Sequence, residues 1–198
     1  AEVIPHDDFL TNFKNLSICF LYKSTDTLSP FVHTPICCIR REILNDAGGF
    51  DPELKTAEDF CLGIKLGTQG FRFVIDRCLE GIHLKTHSLV DILKEDWRRI
   101  RDLSTIKLNR SQRRFALRAH RHHRLISLVL PVPIMLGLFL TAYDLVYGKI
   151  ALLGFVIFCL CNLSFLIYLK KQRGLGFAVK SIGCLFFEMA WGGIALSS

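Results

Sequence analysis

Two adjacent carboxylates, Glu58 and Asp59, are the residues of this chain best suited to chemistry. A carboxylate held beside a hydroxyl can take its proton as the oxygen attacks, which is the work of a general base. The same pair also suits the first turn of a helix, where the backbone dipole favours acids by about 0.3–1 kcal/mol. Thr56, with Asp59 three residues on, has the pattern of an N-cap close to a capping box. Spacing alone therefore leaves base and cap both open. His87 and the group His120, His122 and His123 match no ligand motif and read as residues beside a membrane interface. The eight cysteines contain no C-x-x-C pair, which suits neither a zinc site nor a disulfide framework and points to reduced thiols.

The elements that must position these groups follow from periodicity. Phe9, Phe13, Leu16 and Phe20 recur at helical spacing after Asp7-Asp8. Thr25 to Pro30 is a polar loop, and Pro35 to Ile39 reads as a short buried strand. Arg40 to Ala47 predicts a helix closed by Gly48, and Gly49 to Pro52 is turn chemistry. Thr56 to Gly67 predicts the helix that carries the acid pair, and Phe71 to Ile75 alternates as a strand. From Ser88, Leu89, Ile92, Leu93, Trp97 and Ile100 form an apolar stripe opposite Lys94, Asp96, Arg98 and Arg99. Such a helix can lie on a membrane surface. Strands alternating with helices predict an α/β class, with two or three strands visible.

Charge and hydropathy divide the chain. The net charge is +7, yet Arg98 to Arg124 holds nine Arg and one Lys against the single acid Asp102. A basic run can bind nucleic acid, but this one lacks an aromatic-basic face and ends where an apolar region begins, so no nucleic-acid partner is expected. Leu125 to Tyr143 and Ile150 to Leu169 are uncharged runs of 19 and 20 residues. As helices each spans roughly 30 Å, a bilayer's hydrocarbon thickness. Pro131 and Pro133 are expected to kink the first, and Asp144 to Lys149 to form a tight link between the two. A third stretch, Leu175 to Leu196, carries Lys180 and Glu188 and reads as a further span. The basic flanks place the charged part on the cytoplasmic side of a multi-pass membrane protein.

Three segments taken together resemble the inverting family-2 glycosyltransferases. Ile39-Arg-Arg-Glu-Ile-Leu-Asn-Asp-Ala-Gly-Gly-Phe-Asp51 is similar to the family's RRE-x-L-x-x-x-GGFD segment. Ala57-Glu-Asp-Phe-Cys-Leu-Gly-Ile-Lys-Leu66, followed by Gly70, is similar to ED-x-x-L-G-x-R-L. Gly81-Ile-His-Leu84 falls where the family often carries a histidine. The likeness covers roughly residues 9 to 110.

The resemblance implies an α/β, nucleotide-diphospho-sugar transferase (GT-A type) fold and a sugar transferred from a nucleotide-sugar to a lipid-linked or glycan acceptor. It assigns the base to Asp59 with Glu58 in support. It gives His83 to a metal, Mg²⁺ or Mn²⁺, or to the leaving diphosphate. Arg40, Arg41, Trp97 and Arg98 become acceptor-side or lipid contacts. The family's donor-binding strands and Asp-x-Asp lie upstream of these segments, and His6-Asp7-Asp8 is not that motif. The expected organisation is an acceptor-side half over 1–95, an interface segment over 96–124 and membrane helices over 125–198. On this reading the donor-binding half is missing, and the chain alone is expected to be inactive. A chain lacking that half also fits a non-catalytic membrane scaffold derived from such an enzyme.

Overall fold

The computed structural model describes residues 8–24, 28–29, 36–54, 56–76, 78–79, 81, 85–119 and 127–197. They fall into two compact units, Ala1–Ala119 and His120–Ser198.

In the first unit, the Asp8 carboxylate accepts the Thr11 N–H at 2.7 Å and starts α1 (Phe9–Ser24). Phe13, Leu16 and Cys19 are buried along it, and so are the polar Thr11, Asn12, Lys14 and Asn15. Their partners come from far along the chain. Thr11 Oγ1 accepts the His87 N–H at 2.9 Å, and Asn15 donates to the Lys85 carbonyl at 3.4 Å. The Lys14 ammonium lies 3.6 Å from Asp96 of α4 (Leu89–Thr105). Ser88 and Asp91 form a capping box that starts α4. Between these, α2 (Arg41–Asp46) ends at Gly48 and Gly49, whose φ of +75° and +67° suits glycine. Its Ile43 and Leu44, with Ile39, Ala47 and Phe73, pack on Leu62 and Leu66 of α3 (Glu58–Thr68). Asn109 and Gln112 cap α5 (Arg110–Ala119) reciprocally, at 2.9 and 3.0 Å.

The α/β expectation fails. The described residues are predominantly helical, and their only pairing joins β1 (Leu28–Ser29) antiparallel to β2 (Phe73–Val74) over two residues each. Ile36 to Ile39, expected as a buried strand, forms none, and Ile36, Cys37 and Cys38 are exposed. The physical reason is the lack of partners. A parallel sheet is covered by helices on both faces and is built from several near-continuous apolar runs. Here one alternating run survives, and its Val74 is 70% exposed. This is not a nucleotide-diphospho-sugar transferase (GT-A type) sheet architecture.

The second unit is wholly helical where described. Ser127 to Leu140 makes one short apolar helix whose regular ladder is interrupted at Leu130, just before Pro131, where the missing proline N–H falls; α6 (Pro131–Leu140) is the part that follows. Asp144 accepts the Val146 N–H at 2.8 Å and caps α7 (Leu145–Cys161), so Leu145 to Lys149 is helix and the turn is Thr141 to Asp144. Small residues bring α6 and α7 together. A Cβ on Gly137 would stand 3.1 Å from Ala151 Cβ and 3.3 Å from the Tyr147 carbonyl oxygen. The expected straight span Ile150 to Leu169 is broken, because α8 (Leu163–Arg173) departs from α7 by 63° at Asn162. The Asn162 amide donates to the Phe158 carbonyl at 2.8 Å and to Ser127 Oγ at 3.0 Å, competing with the helical ladder.

Gly174, at φ +85°, ends α8 and precedes α9 (Leu175–Ser197). Phe158 of α7 meets Phe186 of α9 edge-on, with ring centroids 5.4 Å apart. Among the described residues, α9 alone is long and apolar enough to cross a bilayer as one helix, and the bent α7–α8 pair makes a second span if counted together. Leu136, Phe139, Leu152 and Leu160 are more than half exposed, an apolar surface that lipid covers at no cost.

The α6–α7 contact predicts the effect of bulk. Gly137→Leu should destabilise the chain in detergent micelles by about 1–3 kcal/mol through overpacking. Gly176→Leu, where an added Cβ meets nothing within 4 Å, should be near neutral. Unfolding of the two variants by added SDS, followed by loss of helicity, checks this; equal sensitivity would overturn the packing argument.

Candidate functional site

The acid pair sits behind a strained residue. Ala57, at φ 64° and ψ 12°, occupies the cap position of α3 and is the only described non-glycine residue with positive φ. That conformation costs an alanine about 1–2 kcal/mol. What holds it is Thr56, whose N–H and Oγ1 both donate to Asp102 Oδ2, each at 2.8 Å. Asp102 lies on α4, 6% exposed, with the Arg101 guanidinium 3.8 Å from its other oxygen. Thr56 is therefore not the helix cap that its spacing predicts, and no side chain caps α3. The Thr56 hydroxyl donates to the buried carboxylate instead of accepting a helix N–H, and charge-assisted bonds of this kind are about twice as strong as neutral ones.

Glu58 and Asp59 follow at once, both half-buried in the first turn of α3. Asp59 Oδ1 accepts the neighbouring Phe60 N–H at 2.7 Å. Tyr22 of α1 belongs to the same neighbourhood: burial pushes its phenol pKa up, and the Asp59 carboxylate adds to the rise. One turn on, burial pushes the Cys61 thiol up, Lys65 opposes this, and the Asp51 carboxylate adds to it. Asp51 closes the glycine turn after α2, where its Oδ1 accepts the Glu53 N–H at 3.0 Å. The Asp59 carboxylate thus acts on Tyr22 and the Asp51 carboxylate on Cys61, and the two resemblance segments touch through Ile43, Leu44, Leu62 and Leu66.

The other predicted positions lie apart from this centre or outside the described residues. Arg40 precedes α2 and Arg41 opens it; both are exposed, and neither is in an ion pair with a described carboxylate. Trp97, Arg98 and Arg99 are exposed on α4. The stripe expected there is partly inverted. Ile92 is buried as expected, but Asp96 and Asp102 are buried too, while Leu89 and Trp97 face outward. Asp96 can be buried because Lys14 of α1 meets it. His87 is buried against α1 and is not an interfacial residue. His83, His120, His122 and His123 lie outside the described residues. Among the described residues no three of His, Cys, Asp and Glu gather as a metal site, so Asp51, Glu58 and Asp59 do not make one.

Asp102 and Tyr22 are the contributors that motif reading misses, whereas Asp51 is the last residue of the GGFD-like segment. Asp102 carried a signal: it is the single acid in the basic run from Arg98 to Arg124. No protein-family model, no curated protein and no solved structure matches the chain.

Removing the acceptor should free the strained turn. In Asp102→Ala, the Thr56 N–H loses its partner at a cost of about 1–3 kcal/mol, so its amide should exchange with solvent about 5- to 150-fold faster. Thr56→Val removes only the hydroxyl bond, about 1 kcal/mol, and should leave most of that protection. Hydrogen exchange read by mass spectrometry on the full chain checks both, and equal protection in Asp102→Ala and wild type would show that the clamp does not hold Ala57.

Proposed function

We propose that this chain is the acceptor-side part of a membrane-anchored, inverting glycosyltransferase in which Asp59 is the general base. The observation that carries the reading is the left-handed Ala57 immediately before Glu58-Asp59, tied down by Thr56 and Asp102. Backbone strain of this kind persists only where the surroundings enforce it, and it concentrates at functional turns. The order and spacing of the RRE…GGFD-like and ED-like segments, now seen packed on one another, support it further.

In this reading the acceptor hydroxyl attacks the anomeric carbon of a nucleotide-sugar as Asp59 takes its proton. The bond from that carbon to the diphosphate oxygen breaks, and the configuration inverts. Glu58 orients the acceptor. Arg40 and Arg41 belong to the phosphate or acceptor side, and Trp97 and Arg98 to a lipid-linked or glycan acceptor at the membrane. A divalent cation, Mg²⁺ or Mn²⁺, belongs to the reading as counter-charge to the departing diphosphate; His83 is its one candidate ligand in this sequence. The basic flanks Arg98 to Arg124 and Lys170, Lys171 and Arg173 support an orientation with the first unit on the cytoplasmic side of a multi-pass protein. A second reading, a non-catalytic membrane scaffold, is favoured by one fact: the 198 residues contain no Asp-x-Asp.

Two measurements test this. In membranes holding the complete encoded polypeptide, Asp59→Asn should lower the rate of sugar transfer by about 10²- to 10⁴-fold. Its thermal unfolding should match wild type, since Asn keeps the oxygen that Phe60 N–H uses. Retention of more than about a tenth of the rate, outside the range for a lost base, would move the base elsewhere, and wild-type membranes inert toward every nucleotide-sugar would favour the scaffold. Separately, with native cysteines replaced by serine, Tyr143→Cys in intact cells should react with an impermeant maleimide while Arg113→Cys should not. The reverse pattern overturns the orientation.

A further inference from the structure

We propose that the groove between the last turn of α3 and the outer face of α5 binds the phosphate of an anionic phospholipid headgroup. The groove encloses about 540 Å³ and is lined by Gly67, Thr68, Arg110, Ser111, Arg114 and Phe115. Its floor is apolar. A Cβ on Gly67 would collide with the Phe115 ring, so the ring lies directly on the glycine backbone. Its rim is cationic. Arg110 and Arg114 are four residues apart on one helix, hence neighbours on one face. Both are exposed, no acid lines the groove, and among the described residues neither guanidinium is in an ion pair.

Two guanidinium forks and a serine hydroxyl are donors of the kind that phosphate oxygens accept, and guanidinium suits such recognition better than a point charge. The Thr68 hydroxyl is occupied, donating to the Ile64 and Lys65 carbonyls at 2.9 Å, so the forks and Ser111 carry the recognition. Three features commit the site to lipid. The Phe115 floor suits the glycerol and upper acyl chain better than water. The basic run continues with Arg118 on α5 and with Arg121 and Arg124 after it in the sequence, and an apolar helix follows from Ser127. Basic segments beside membrane helices are the ones that anionic headgroups attract. The site is separate from Glu58-Asp59 and does not rest on the glycosyltransferase reading.

The test uses the full chain in neutral maltoside micelles, titrated calorimetrically with dioctanoyl-phosphatidic acid, dioctanoyl-phosphatidylcholine or inorganic phosphate. Phosphatidic acid should bind saturably at one site and more tightly than either of the other two. The double variant R110Q/R114Q should weaken that binding by about tenfold or more, as expected for two lost charge-assisted bonds. R72Q/K94Q removes the same charge from exposed positions outside the groove and should change it by less than about twofold, the scale of an exposed charge screened by solvent. Gly67→Ala keeps every charge but displaces Phe115, and should also weaken binding, which keeps the proposal testable if the double arginine variant loses its fold. The proposal is overturned if the two double variants weaken binding equally, if Gly67→Ala binds like wild type, if inorganic phosphate binds as tightly as the lipid, or if no saturable site appears.

Discussion

Burial of the Asp102 carboxylate is the constraint on which the first unit is arranged. A carboxylate taken out of water is expensive unless it is paired and hydrogen-bonded. Asp102 meets that requirement with two donors from Thr56 and the nearby Arg101 guanidinium. Satisfying it ties Thr56 to α4, and the next residue, Ala57, enters α3 from a left-handed conformation. The direction of α3 follows, and with it the placement of Leu62 and Leu66, on which α2 packs. A second buried acid on α4, Asp96, does the same for α1 through Lys14. A helix with exposed Lys94, Arg98, Arg99 and Arg101 therefore holds its neighbours with its acids.

That arrangement explains why the carboxylate pair lies where it does. Glu58 and Asp59 are delivered to the start of α3 by a turn that is strained locally and held from a distance; the Asp59 carboxylate acts on Tyr22 of α1, and Asp51 of the glycine turn acts on Cys61. The backbone that carries the pair is anchored to α4 one residue before the left-handed turn, at Thr56.

The second unit is organised by a different force. Close approach at Gly137 and Ala151, the ring contact of Phe158 with Phe186, and the Asn162–Ser127 bond join its described helices. Packing of small residues and an occasional polar bridge is what remains when the surroundings are as apolar as the side chains. The same Asn162 that makes the bridge also breaks the helix, so one residue sets both a contact and the bend between α7 and α8.

Local features were legible without coordinates. The period of Phe9, Phe13 and Leu16, the glycine end of α2, the helix after Thr56 and the apolar stretch of α9 all follow from interactions within a few residues, and the structure has them. The acid pair was visible for the same reason, as two neighbouring letters at a helix start. What only the tertiary structure decided concerns partners far away in the chain. Whether Thr56 caps α3 or binds Asp102, whether Asp96 faces water or Lys14, and whether Phe71 to Ile75 finds a sheet to join depend on which groups meet across tens of residues. Hydrophobic periodicity reports a preference for burial averaged over a face. It assigns an acid to solvent by default, and only a folded chain that supplies the matching cation or donor reverses that assignment.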